Sequence, residues 1–130
     1  MKLQLKSLFR PMGLTILVSV ILNILIFYIG QNTGFISKAL PVLSDGSPIG
    51  LPAVVLASVF PVFVATLLLW VLSFVLKKYR VIFSVICFVV LFLSFATPFS
   101  IPNVPVKMAM TLNLMHIVVA GSVFYFLTKK

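Results

Sequence analysis

The stretch Leu51–Ala96 reads LPAVVLASVFPVFVATLLLWVLSFVLKKYRVIFSVICFVVLFLSFA. It contains two apolar runs, 51–76 and 81–96, joined by Lys77, Lys78, Tyr79 and Arg80. A helix needs about 20 mostly apolar residues to cross about 30 Å of hydrocarbon. The first run meets that length. The second is the shortest, but Phe99 and Ile101 extend its apolar surface past Pro98. Neither run carries a charge, so each reads as a span. A link this short forces an antiparallel hairpin. A membrane β-barrel would alternate apolar and polar residues over about ten positions, and that alternation is absent.

Two further runs flank the hairpin, at 12–30 and 106–127. The first follows Lys2, Lys6 and Arg10, like the basic start of a signal peptide. It is too long for a signal core of about 7–15 residues, and no A-x-A site follows, so it reads as a retained span. The expected fold is one all-α membrane domain over residues 1–130, an up-down bundle of four transmembrane helices. The outer loop covers 31–50.

Composition agrees. The chain has 130 residues, of which 62% are hydrophobic and 8% charged. Soluble domains are about 45–50% apolar and about 25% charged. A chain this apolar cannot cover a water-facing surface, so a soluble globule and a disordered tail are both excluded. Ten Lys and Arg stand against one acid, Asp45, giving a net charge of +9. The cations sit at the edges of the apolar runs rather than on one basic face, which argues against a nucleic-acid partner. Lys2, Lys6, Arg10, Lys77, Lys78, Arg80, Lys129 and Lys130 fall on one side of the expected topology. Lys38 and Lys107 fall on the other. The side rich in Lys and Arg faces the cytoplasm, so both termini are expected there. Trp70 and Tyr79 lie near that boundary, where amphipathic rings act as interface anchors.

The connections differ in kind. The first carries turn signals at Asp45-Gly46 and Ser47-Pro48, yet also Phe35, Ile36, Leu40, Val42 and Leu43. It is expected to fold back over the outer mouth of the bundle, with a short interfacial helix as one form. The third connection, Thr97–Pro105, has three prolines and is expected to be extended.

The same counts limit the chemistry. A single Cys87 excludes an intrachain disulfide and a Cys-rich metal site. It reads as an apolar filler. One acid excludes a carboxylate pair. One histidine excludes a bis-His haem. Met108, Met110, Met115 and His116 offer soft ligands for Cu(I). They do not converge on one helix face, so neither metal nor cofactor is expected. Small multidrug exporters match in size, but they couple through an intramembrane carboxylate that this sequence lacks.

Polar residues inside a span are costly and turn inward. At about 1.5 Å per residue, Asn23 lies about 10 Å below the outer boundary, Pro61 about 15 Å, and Asn113 and His116 about 10 and 15 Å. Ser94 is near the outer end of its helix. Asn23, Pro61, Ser94, Asn113 and His116 therefore form one expected layer in the outer half. The inner half is nearly pure Leu, Val, Ile and Phe, with Thr66, Ser73 and Ser84 as small exceptions. Asn113 and His116 share a helix face at i, i+3, which Ala109 and Ala120 extend. That face is expected to pack inward. Pro61 has no N–H and leaves the Ala57 carbonyl without its usual donor. A side chain or water is expected to satisfy it, with Asn23, Ser94, Asn113 and His116 as the candidate side-chain donors. Two readings of the layer compete: interhelical hydrogen bonds only, or a small ligand or proton site beneath the outer loop.

The chain also resembles a family of small four-helix bacterial membrane proteins classed only as a domain of unknown function. The resemblance rests on Leu22-Asn23-Ile24-Leu25 followed by Tyr28-Ile29-Gly30, on Leu93-Ser94 with Pro98, and on Leu112 through Met115-His116. It covers most of the chain. It implies the four-helix architecture and a bacterial cytoplasmic membrane, and no activity, substrate or cofactor. The function expected is non-enzymatic: a structural or accessory subunit, or a binder of a small apolar or lipid-like ligand in the outer-half pocket. The alternative is a small transporter or channel component using Asn23, Asn113 and His116. A membrane enzyme ranks below both, because no set of nucleophile, base and acid is visible. The lipid bilayer is the expected partner, with a membrane protein or a second copy of the chain beside it.

Overall fold

A computed structural model describes residues 3–40 and 46–128. Lys2, Lys129, Lys130, Asp45 and the loop residues Pro41, Val42 and Leu43 lie outside the described residues. Four helices follow one another: α1 at Leu5–Asn32, α2 at Leu51–Val75, α3 at Tyr79–Ser94 and α4 at Val106–Leu127. There is no strand among the described residues. Counting its continuation through Ser100, the third span joins the other three in being long and apolar enough to cross a membrane. Most of each helix's apolar surface faces outward rather than into the bundle.

Helix α1 packs against α2 and α4, and α3 closes the far side against the same two helices. The described ends of the chain meet the α2–α3 hairpin. The Leu3 backbone N–H donates to Ser73 Oγ at 3.2 Å, and Arg80 Nη1 donates to the Thr128 carbonyl at 3.1 Å. That guanidinium covers a carbonyl left open at the end of α4, where a cation also favours the helix dipole. Lys6, Arg10, Lys77, Lys78 and Arg80 thus share one end of the bundle, called here the basic end. Lys38 and Lys107 lie at the other, the loop end.

Helix α1 begins at Leu5, seven residues before the apolar run expected at 12. Hydropathy marks a slab, whereas the helix continues past it. Lys6 and Arg10 stay exposed while Leu8 is buried in the core of the basic end with Leu69, Tyr79, Phe83, Val123 and Leu127. Pro11 is accommodated inside this helix. Helix α3 likewise starts two residues earlier than expected, because Tyr79 is buried in that same core.

A stripe of small polar residues holds α1 to α2. Thr15, Ser19 and Asn23 recur every four residues on α1, and Ser58, Thr66 and Ser73 lie on the facing stripe of α2. All are buried. Most answer their own helix, at 2.6–2.8 Å: Thr15 donates to Pro11 O, Ser58 to Val54 O, Thr66 to Val62 O and Ser73 to Trp70 O. A hydroxyl satisfied this way behaves as a small residue and lets two helices approach closely. This corrects the expectation that polarity within the spans gathers in the outer half, with Thr66, Ser73 and Ser84 as small exceptions. The stripe runs most of the length of both helices.

At the loop end the first connection does fold back. Gly34 takes φ +81° and turns the chain out of α1, and the Ile36 N–H donates to Gly30 O at 2.9 Å. Ile36 is 1% exposed and packs with Phe27, Val54 and Met108. Past the end of α1, no helix forms among the described residues 33–40 and 46–50. The third connection is not extended throughout. Pro98–Ser100 form a 3-10 turn, for which the fixed φ of Pro98 is suited, and Asn103 takes φ 60°.

Candidate functional site

Helix α3 is anchored at both ends and stands off in between. Tyr79 and Phe83 bury its first turns. At its far end Asn113 Nδ2 donates to the Phe95 carbonyl at 3.2 Å, and Pro98 is buried beyond it. Between Phe83 and Ser94, α3 has no buried residue. The space it leaves is a cavity of about 680 Å³ between α2, α3 and α4. That is the size of a typical small-molecule pocket, about 300–1,000 Å³.

Asn23, Pro61, Ser94 and His116 all line this cavity. Asn113 does not; its amide is turned to the end of α3. Four of the five candidate residues are therefore together, and the fifth braces the helix that bounds the space. The rest of the wall is apolar and mostly aliphatic, with Val54, Leu68, Val90, Leu112 and Val119 among its members. Ala57 and Cys87 also line it, and neither stood out from sequence for this role. Phe60, Val64 and Val90 are lining residues that are also exposed, at 66%, 49% and 58%. The cavity thus opens sideways between α2 and α3. Toward the basic end it is closed by the core containing Val62, Leu69, Phe83 and Leu127.

The polar groups on the wall have defined hydrogen bonds. Asn23 Nδ2 donates to Ser58 Oγ at 2.8 Å, and Ser58 Oγ donates in turn to Val54 O at 2.8 Å. Because the Ser58 proton is committed to a carbonyl, the Asn23 atom facing it must be the donor nitrogen. Asn23 Oδ1 is then fixed as the other atom. It is buried and has no partner among the described residues. His116 Nδ1 lies 2.8 Å from Leu112 O. A carbonyl only accepts, so Nδ1 carries the proton and Nε2 of the neutral ring is an acceptor. Ser94 Oγ donates to Leu91 O at 2.6 Å.

Each expected donor to the Ala57 carbonyl is thus engaged elsewhere. Asn23 is on Ser58, Ser94 on Leu91, Asn113 on Phe95 and His116 on Leu112. The expectation that one of them answers Pro61 is corrected. Local i−3 and i−4 carbonyls are nearer competitors for Ser94 and His116 than a carbonyl on a neighbouring helix.

Met108 and Met115 are buried in the loop-end core, whereas Met110 is 59% exposed. The three sulfurs therefore do not gather. Trp70 is half-buried and meets Phe74 edge-on, with ring centroids 5.1 Å apart. The Arg80 guanidinium lies over the Tyr79 ring at 5.5 Å. Ser58 is the interhelical partner that sequence reading missed. Its spacing of three from Pro61 and eight from Thr66 was the available signal.

A family model described as a family of unknown function (DUF6069) matches residues 4–130. No curated protein and no solved structure matches the chain.

Proposed function

We propose, from the premise that this chain belongs to the DUF6069 family of unknown function, that it is a non-enzymatic membrane protein that binds a lipid-like molecule. The binding site is the cavity between α2, α3 and α4, in the half of the membrane away from the cytoplasm. The single observation that carries this reading is the cavity itself. It has about 680 Å³ of space, apolar and mostly aliphatic walls and a sideways mouth between two apolar helices. An apolar wall with a few placed polar groups is the general form of a small-molecule site. A mouth that opens along the helices admits a molecule already dissolved in the bilayer.

The grouping of Lys6, Arg10, Lys77, Lys78 and Arg80 at one bundle end supports a cytoplasmic location for that end and for both termini. The resemblance in the sequence supports a bacterial cytoplasmic membrane. The closed core at the basic end argues against a continuous path, and so against the transporter or channel reading.

Filling the cavity tests the proposal. Ala120 lines it and carries little bulk. The Ala120→Phe chain should fold and lose the thermal shift that twelve-carbon amphiphiles give the wild type in detergent. An equal shift in both proteins would refute the site.

A further inference from the structure

The cavity presents acceptors and almost no free donors. Asn23 Oδ1 is buried without a partner among the described residues, and its Nδ2 is turned to Ser58, which does not line the cavity. His116 holds its proton on Nδ1 against Leu112 O, so Nε2 offers a lone pair. Ala57 and Pro61 both line the cavity, and the ring of Pro61 deprives the Ala57 carbonyl of its i+4 donor. Ser94 has directed its hydrogen to Leu91 O. There is no Lys or Arg among the lining residues to meet an anionic group.

Four polar positions, one on each of the four helices, thus share one bias. Of these, Asn23 Oδ1 is the buried one; a buried acceptor left unpaired is costly, so a ligand that supplies hydrogen gains there. A phosphate, carboxylate, ester or ether brings only more acceptors. We infer that the occupant is an uncharged amphiphile with a hydrogen-donating head, an alcohol, on an apolar chain. It enters between α2 and α3, lays its chain along the apolar wall and donates its one hydroxyl hydrogen to one of Asn23 Oδ1, His116 Nε2 and the Ala57 carbonyl. Because Oδ1 is itself buried, the hydroxyl meets it through a small turn of χ2, a soft torsion in asparagine. This inference rests on the proposed binding role and specifies its ligand class.

Cys87 supplies the readout. It is the single cysteine of the chain and it lines the cavity. An occupant shields it from alkylation by N-ethylmaleimide. The experiment compares 1-dodecanol, 1-methoxydodecane and dodecane as protectants of the purified full chain in detergent. The alcohol should protect at about tenfold lower concentration than the ether, the ratio expected for one net hydrogen bond of about 1.4 kcal/mol. Asn23→Leu and, separately, His116→Phe should each shrink that ratio while the ether and the alkane protect as before. Two variants on different helices keep the test decisive should one fail to fold. Equal protection by alcohol and ether in the wild type overturns the donor preference and leaves the binding role standing. Absence of protection by all three overturns both.

Discussion

Asn23 of α1 donates from Nδ2 to Ser58 Oγ of α2 at 2.8 Å, inside a bundle whose other buried hydroxyls mostly bond to their own helix. This bond does two things at once. It fixes the antiparallel register of the two helices, and it fixes which atom of the Asn23 amide is left over. Ser19 Oγ, one turn away on the same stripe, is buried with no partner among the described residues. The pair should couple by about 0.6–2 kcal/mol in a double-mutant cycle of Asn23→Leu and Ser58→Ala, the range for hydrogen bonds between membrane helices. Unfolding in mixed detergent measures it. Additive single effects would show that the bond contributes nothing to the register.

Pro61 interrupts the hydrogen bonding of α2 at the cavity wall. A proline inside a helix costs about 3 kcal/mol relative to alanine in water. Pro61→Ala restores an N–H for the Ala57 carbonyl and should raise unfolding stability by about 1–3 kcal/mol, the lower part of that range reflecting the support of neighbouring helices. The same substitution removes one acceptor from the cavity, so the preference for an alcohol over an ether should weaken. A stabilised chain with an unchanged preference would separate Pro61 from ligand recognition.

A Cβ placed on Gly30 would lie 2.8 Å from both Cγ1 and Cδ1 of Ile36, which is buried and β-branched. Gly30→Ala should therefore lift Ile36 from its seat among Phe27, Val54 and Met108. Overpacking of this kind costs about 1–3 kcal/mol. A lowered melting temperature in detergent checks it. Ile36→Ala should cost less stability in the Gly30→Ala background than in the wild type if the clash is the cause.

The four helices were legible in the sequence because apolar length and missing charge are strong signals. Helix α4 has the limits its hydropathy implied, whereas α1 begins seven residues earlier and ends two later. Leu8 is why: it is an ordinary apolar residue in a basic segment, and only the core around Phe83 and Leu127 shows that it must be helical. The grouping of Asn23, Pro61, Ser94 and His116 was legible from depth alone. The exclusion of Asn113 was not, because depth carries no information about direction around a helix. Asn113 and His116 share a face, but a difference of three residues still separates them by about 60° around the axis, enough to turn one to α3 and the other to the cavity. The gap itself was also invisible. It depends on α3 standing away from the bundle between its two anchored ends, which no local pattern records.

Orientation is open to a direct check. A reporter fused after Lys130 should be active on the cytoplasmic side. A reporter inserted between α1 and α2 should be active on the opposite side. The reverse result would place the cavity in the cytoplasmic half of the membrane and overturn the assignment made from the basic end.

On this reading the cavity beside Asn23, Pro61, Ser94 and His116 holds a lipid-like molecule. Native mass spectrometry of the full chain, released from its own membrane in gentle detergent, tests it most directly. The expected spectrum contains the chain with one small amphiphile of defined mass, lost in Ala120→Phe and weakened in Asn23→Leu. A wild-type chain carrying the same heterogeneous lipids as Ala120→Phe would contradict it.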